Sequence, residues 1–457
     1  MDLLKTFGLL SYILRGLPEL WQFRQVRRGK YRELQSRRLK ALVRHTYDNV
    51  DLYRHKYDQA GVHPDDIQTI GDLEKLPIIT RQDLIDGFPQ AILARNIKTE
   101  DWRVAATSGS TGVPIRVYKD RALLKRGCLA ALLMHKILGK QVGTKLRRGL
   151  VAIWLTSPDS LEALLAEEMT KLPRFLIRSY HRLDAKDNPH EHLRGLSRYQ
   201  PDIVLTYPSV LRNMAIVARQ ERLATPQPKV LIVSGELLDE NSRQIISSVF
   251  NGEIINCYVA TEAGTIAMEC GHHQGLHVNS GDVILELLQD GKPVPPRVPG
   301  SLVVTNLRNK STPIIRYSGL GDVAVFSDKK CPCGSKLPLL EVVEGRIVDS
   351  LVLPDGRLLH PYSLTLALEH IPMVARFQII QESIDRVRTL IVAEKNANVS
   401  TNVSTFDEGG QLRDRVWQNL RQILGEGIDI TIELVQDIPK SRERGYQTVR
   451  SLVERRG

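Results

Sequence analysis

The stretch "PDIVLTYPSVLRNMAIVARQERLATPQPKVLIVSGE" (201–236) decides the fold. It opens on an apolar, β-branched run, continues from Ser209 to about Leu223 with apolar residues at helical spacing, and closes on "KVLIVSGE" (229–236), a second apolar run that stops at Ser-Gly. Two short buried strands joined by a helix form the crossover unit of a parallel sheet. The same alternation extends both ways: "RGLVAIWL" (148–155) reads as a further buried strand. A helix is expected from about Asp239 to Phe250, and "GEIINCYVATEAG" (252–264) is a strand that runs into a polar turn. Strands alternating with helices predict a largely parallel α/β sheet. In open sheets of that kind ligands bind beyond the carboxyl ends of the strands. Ser234-Gly235-Glu236 and Thr261-Glu262 lie on two such ends. "TSGSTGVPIRVYKD" (107–120) joins them if "WRVAA" (102–106) is a strand.

Further along, the pattern changes. "DVILELL", "SLVVTNL" and "VAVF", separated by prolines, predict an antiparallel β region. After "EGRIVDS" (344–350) come "RFQIIQE", "VRTLIVAE", "QLRDRVWQNLRQIL" and "DITIELV", a short strand–helix–strand unit. A chain of 457 residues exceeds what one core organises. The expected class is α/β: a large N-terminal domain (1–345) of mostly parallel sheet flanked by helices plus the antiparallel region, and a small α+β C-terminal domain (346–457).

No apolar run reaches bilayer-spanning length. The start, "MDLLKTFGLLSYILRG", carries Asp2 and Lys5 and no small-residue cleavage site, so it reads as an amphipathic helix of a cytoplasmic protein and not as a signal peptide. Between Arg15 and Arg44 lie ten Lys or Arg against Glu19 and Glu33, a net +8 of the chain's +11. With Leu34, Leu39, Leu42 and Val43 on its apolar side, this block is a solvated helix face. The alternative is a peripheral contact of residues 1–44 with an anionic inner membrane surface or an acidic partner. The basic residues have no interleaved aromatics and no reading motif, which argues against nucleic acid.

The loop at 107–112 has its own chemistry. Gly109 and Gly112 let the backbone approach a ligand closely, Thr107, Ser108, Ser110 and Thr111 add hydroxyl donors, and successive N–H groups can form an anion-binding concavity. This suits a polyphosphate. It is not a Walker loop, because no Lys follows Gly112 and a strand comes next. Taken alone, such a loop is most often a hairpin or linker, Glu262 a helix cap and Asp322 a turn residue.

Together these segments resemble the adenylate-forming enzymes, the acyl-CoA synthetase and luciferase superfamily. "CYVATEAG" (257–264) resembles its Tyr-Gly-x-Thr-Glu signature, with Val259 in place of the glycine. "RYSGLGDV" (316–323) resembles its Tyr-x-Thr-Gly-Asp box, and "EGRIVDS" its Gly-Arg hinge box. Within the superfamily the likeness is greatest to phenylacetate–CoA ligase and relatives linked to capsular polysaccharide synthesis, through "NVDLYRHKYDQAG…DLEKLPIITRQDL" (49–84) and "KKCPCGSKLPLLEVVEGR" (329–346). The resemblance implies that a small carboxylic acid attacks ATP to give acyl-AMP, and that the acyl group passes to CoA or to another thiol or amine. It implies that Thr107, Ser108, Gly109, Ser110, Thr111 and Gly112 hold the β- and γ-phosphates, that Glu262 helps hold Mg²⁺ and that Thr261 contacts the α-phosphate. Ser234, Gly235 and Glu236 would line the adenine side, with Tyr258 near the base, Asp322 on the ribose hydroxyls and Arg346 close by.

The chain departs from this pattern near its C-terminal end. Members carry a C-terminal lysine after a glycine; here "IPKSRERGYQTVRS" (438–451) has Tyr446 after Gly445. Lys440, Arg442 or Arg444 could supply the cation, although a guanidinium is a different donor from an ammonium. The departure keeps open a nucleotide-binding protein without adenylating activity, and the basic N-terminus keeps open a membrane-surface component of an envelope-polymer assembly. The hinge box also differs, with Val348 where many members carry Asp.

Five cysteines remain. Cys128 and Cys257 read as core thiols. Cys270 and His277 (Cys-x6-His) with Cys331 and Cys333 (Cys-x-Cys-Gly) supply three sulfurs and one imidazole, the makeup of a closed structural Zn²⁺ site. His272 and His273 are rival ligands, and unliganded thiols in a turn are the alternative.

Overall fold

The computed structural model describes residues 31–98, 100, 102–107, 115–125, 127, 149–154, 159–171, 178–185, 187–344, 351–354, 358–359, 364, 367–368, 371–393, 405–438 and 448–453. The apolar runs become strands β3 (Gly149–Trp154), β4 (Ser179–Asp184), β5 (Ile203–Thr206), β6 (Val230–Ser234) and β7 (Glu253–Ala260). They pair in parallel in the order β4-β3-β5-β6-β7. Helices Pro189–Tyr199, Pro208–Gln220 and Glu240–Ser247 fall between them, the last two ending three residues before the expected Leu223 and Phe250.

Because successive side chains point to opposite faces, β3 sends Val151 and Ile153 into one core with Leu196, Leu211, Met214 and Ile246. It sends Leu150 and Ala152 into another with Ile203, Val230, Ile255 and Cys257. Both faces are covered, which is why the strands read as continuous apolar runs.

The antiparallel region is the same sheet continued. β7 pairs antiparallel with β8 (Gly264–Glu269), followed by β9 (Leu276–Val278) and β15 (Leu339–Glu344). Beyond these lie β14 (Val323–Phe326), β12 (Gly300–Asn306), β10 (Val283–Gln289) and β11 (Lys292–Pro293), with β13 (Ile314–Tyr317) on β12. β7 is thus the border between the two halves. Helix Tyr31–Asn49 buries Leu39, Leu42 and Val43 against the antiparallel half. Its basic residues find partners inside the protein: Arg44 pairs with Asp65, Arg38 with Asp282 at 3.7 Å, and Lys40 donates to Gln68 at 2.6 Å. Residues 1–30 of the basic segment lie outside the described residues.

One placement differs from expectation. "WRVAA" is a strand, β1 (Trp102–Ala106), but it pairs antiparallel with β2 (Arg116–Asp120) in a separate two-stranded sheet. The Ser/Thr/Gly loop therefore joins a hairpin and does not extend from an end of the main sheet.

The C-terminal part has its own four-stranded sheet, ordered β20 (Asp429–Leu434), β19 (Arg386–Ala393), β18 (Val374–Ser383) and β21 (Val449–Ser451). Helix Thr405–Leu424 lays Leu412, Val416, Leu420 and Leu424, spaced by four, on Phe377, Ile379, Val387 and Ile391. β16 (Leu351–Val352) pairs antiparallel with β17 (Leu358–Leu359). The hinge box at 345–350 lies outside the described residues. No described helix is long and apolar enough to cross a membrane.

Candidate active site

The turn Thr261–Ala263 closes the β7–β8 hairpin at the carboxyl end of β7, with Gly264 at φ +74 completing it. Glu262 points inward and is 4% exposed. The Tyr317 hydroxyl, at the end of β13 and wholly buried, donates to Glu262 Oε1 at 3.1 Å. Asn306 Nδ2 on β12 donates to the Ala263 carbonyl at 2.6 Å, and Lys119 Nζ on β2 donates to the Glu262 carbonyl at 2.8 Å. Three elements thus fix one turn. Burial pushes the Lys119 ammonium down to about 8, with Glu262 and Asp120 pulling the other way.

The Tyr258 hydroxyl donates to Asp322 Oδ2. Asp322 ends the loop from Tyr317, in which Gly321 has φ +73 and a Cβ on Gly319 would lie 2.4 Å from the Tyr317 ring. Two segments of sequence, 257–264 and 316–323, therefore interlock through Tyr258–Asp322 and Tyr317–Glu262.

Ser234 ends β6, in register with Cys257 of β7. Gly235 follows at φ +81, where a Cβ would lie 2.9 Å from the Tyr207 ring. Tyr207 in turn packs edge-on against Trp154, centroids 4.9 Å apart. Glu236 accepts from Ser209 N at 3.0 Å and Ser209 Oγ at 2.9 Å. It thereby caps the helix Pro208–Gln220, for which Tyr207 supplies no side-chain cap. The same carboxylate lines a cavity of about 70 Å³ with Ser209, Arg212, Asp239, Arg376 and Phe377, where the C-terminal sheet meets this helix.

The base of the Ser/Thr/Gly loop is closed by Thr107: its N–H donates to the Ile115 carbonyl at 2.9 Å and its Oγ1 accepts from Ile115 N at 3.0 Å. Ser108, Gly109, Ser110, Thr111, Gly112, Arg346, Lys440, Arg442, Arg444 and Tyr446 lie outside the described residues, as does Cys128.

At the far side of β8, Cys270, His277, Cys331 and Cys333 place one ligand atom each within 4.8 Å of one another. Cys270 and Cys331 sulfurs are 3.5 Å apart, and Cys333 Sγ is 3.3 Å from His277 Nε2. The rival His273 instead bridges Glu253 at 2.8 Å and Glu269 at 3.3 Å, and His272 is exposed outside the cluster. Burial pushes the Cys270 thiol up to about 12, so its thiolate needs a cation beside it. Cys257 is a buried core thiol, pushed to about 12 by the same cause.

Sequence reasoning assigned no role to Lys119, Tyr317 or Asn306. Tyr317 stood inside a quoted box and could have been singled out. Lys119 gave no signal, because a lysine in a short strand ordinarily faces water.

A parallel α/β half joined to an antiparallel half through one strand, with a small sheet domain after it, is the fold of the adenylate-forming CoA ligases. Residues 351–451 match the model of the CapK C-terminal domain family. The chain is 26% identical to the phenylacetate–coenzyme A ligase of Thermus thermophilus, over 91% of this chain and 95% of that one. It is 28% identical to the enzyme of the same name from Escherichia coli K12, over 62% of this chain and 64% of that one. It superposes on a 2-hydroxyisobutyryl-CoA ligase in the postadenylation state with a TM-score of 0.76 at 19% identity, covering 92% of this chain and 89% of that one. The resemblance read from the motifs is therefore borne out in fold and in sequence.

Proposed function

We propose that the protein is an AMP-forming acid–thiol ligase that activates a small carboxylic acid with ATP and passes the acyl group to CoA or another thiol or amine. The observation that carries this reading is the interlock of Tyr258 with Asp322 and of Tyr317 with Glu262. It brings together the motifs expected to hold ribose, base and magnesium from positions 64 and 55 residues apart. The donor set fits the groups: Glu262 offers a buried carboxylate to a hard cation, Asp322 offers carboxylate oxygen to hydroxyls, and Thr261 offers a hydroxyl beside them. When bound, Mg²⁺ would supply positive charge to the phosphoryl oxygens.

The chain's own part is fixed donors and exclusion of water, with no protein nucleophile required. The loop from Thr107 to Gly112 would cradle the outer phosphates and Arg346 would lie beside the ribose. Ser234 and Gly235 would line the adenine, and Glu236 would support that wall through the helix it caps. Trp154 and Tyr207 would form part of the acid pocket. The domain boundary is proposed at 345/346. The Cys270, His277, Cys331 and Cys333 cluster supports a structural zinc. Similarity of residues 351–451 to the CapK C-terminal domain supports a role in polysaccharide synthesis.

ATP–pyrophosphate exchange across a panel of carboxylic acids tests the reading: exchange with at least one acid is expected, lost on Glu262→Gln. Tyr446 at the position of the family lysine favours a second reading, a nucleotide binder without adenylation. Mg²⁺·ATP binding with no exchange for any acid would establish it and overturn the ligase.

A further inference from the structure

Lys119 is 2% exposed, and its strand β2 buries three consecutive residues, Val117, Tyr118 and Lys119. An ammonium carries three donors; among the described residues it meets one hydrogen-bond acceptor, the Glu262 carbonyl at 2.8 Å. The charged groups around it are Glu262 in the turn, Asp120 in its own strand and Arg103, its register partner in β1. Asp120 is itself engaged, accepting from Leu123 N at 2.5 Å. A methionine would fill much the same volume without removing a charge from water, but it would leave the Glu262 carbonyl without this donor. Volume alone therefore does not explain a lysine here; the turn it meets does.

β2 follows directly from the Ser/Thr/Gly loop, and β1–β2 is not hydrogen-bonded into the main sheet. The hairpin packs Ala105, Val117 and Tyr118 into the main core and is hydrogen-bonded to the rest by Ala106, whose N–H donates to the Asp159 carbonyl at 2.7 Å, by Tyr118, whose N–H donates to Thr312 Oγ1 at 2.9 Å and whose carbonyl accepts from Asn309 Nδ2 at 2.9 Å, and by Lys119, which reaches the turn that carries Thr261 and Glu262.

We propose that Lys119 is a positioning residue of the candidate site, its ammonium fixing the Thr261–Glu262 turn and tying to it the β1–β2 hairpin. This rests on the ligase reading, and the experiment separates the two.

Pyrophosphate exchange is measured for the full chain, for Lys119→Met and for Lys119→Gln, each with its melting temperature. The Met variant leaves the Glu262 carbonyl short of a donor and is expected to melt a few degrees lower, to lose roughly 10–100-fold in exchange rate at temperatures where it is folded, and to raise KM for Mg²⁺·ATP while leaving KM for the acid unchanged. Gln, which retains a donor for the carbonyl, is expected to recover part of the loss. Wild-type exchange in the Met variant overturns the proposal. So does a loss spread equally over both KM values, or failure of both variants to fold. If the wild type itself exchanges with no acid, the ligase reading fails. Calorimetric Mg²⁺·ATP binding then decides Lys119, with weaker binding by the Met variant expected and equal affinity overturning the proposal.

Discussion

Tyr317 reaches Glu262 only because Gly319 lies against its ring. An alanine Cβ at 319 would fall 2.4 Å from Tyr317 Cζ and hydroxyl, and the tyrosine is wholly buried with no room to retreat. Gly319→Ala is therefore expected to push the hydroxyl off the carboxylate and to lower pyrophosphate exchange about as much as Tyr317→Phe, which deletes the bond directly. With Glu262 holding Mg²⁺ as proposed, the loss is expected to be on the order of 10–100-fold. Removing the Tyr317 hydroxyl leaves a buried carboxylate oxygen short of a donor, worth about 1–3 kcal/mol of stability by urea unfolding. The two changes act through one contact, so the double variant should lose little more than either alone. Additive losses would show that Gly319 acts elsewhere.

Among the elements, the short helix Arg81–Gly87 depends on its first turn more than on its length. Thr80 and Asp83 form a reciprocal capping box, and Asp83 also pairs with Lys56 of helix Asp51–Gln59 at 2.7 Å. Burial works to raise the Asp83 carboxyl, but the Lys56 ammonium and the Thr80 N–H and hydroxyl outweigh it and hold it below 3.8. The native state therefore binds fewer protons than the unfolded chain. The contribution is complete above about pH 4 and fades as pH falls through the lower native value. Asp83→Ala is expected to cost about 1 kcal/mol near neutral pH and to flatten the acid limb of melting temperature against pH; an unchanged limb would refute the assignment. This cap was open to reading from "ITRQDL", as the parallel strands were from their apolar runs, since both are local signals. The hairpin partner of "WRVAA" was not. A strand's composition says that it pairs, not with which edge, and β1 found β2 across the loop instead of the main sheet. Lys119 was hidden for the same reason, its burial being set by the turn it meets 143 positions later.

For the whole molecule, the cysteine cluster ties together segments that the sheet alone holds loosely. β9 is three residues long and meets β15 through the pairs His277–Leu339 and Leu276–Leu340. Cys270 follows β8, while Cys331 and Cys333 lie in the turn before β15, shaped by Gly334 at φ +75 and its N–H bond to the Cys331 carbonyl at 3.1 Å. Three thiolates and one imidazole leave no open coordination position on a tetrahedral ion, so a metal here would brace this border and take no part in chemistry. Elemental analysis of purified protein is expected to find about one zinc per chain, and none in the Cys331→Ser, Cys333→Ser double variant. Unfolding exposes the ligands, so zinc binding is linked to stability and the variant should melt roughly 5–10 °C lower. Because the candidate active site lies at the opposite end of β8, its KM for Mg²⁺·ATP should survive at temperatures where the variant is folded. Metal-free wild type, or a variant that melts unchanged, would remove the brace. A variant that stays folded but loses nucleotide affinity would instead make the cluster part of the site, through β8 itself.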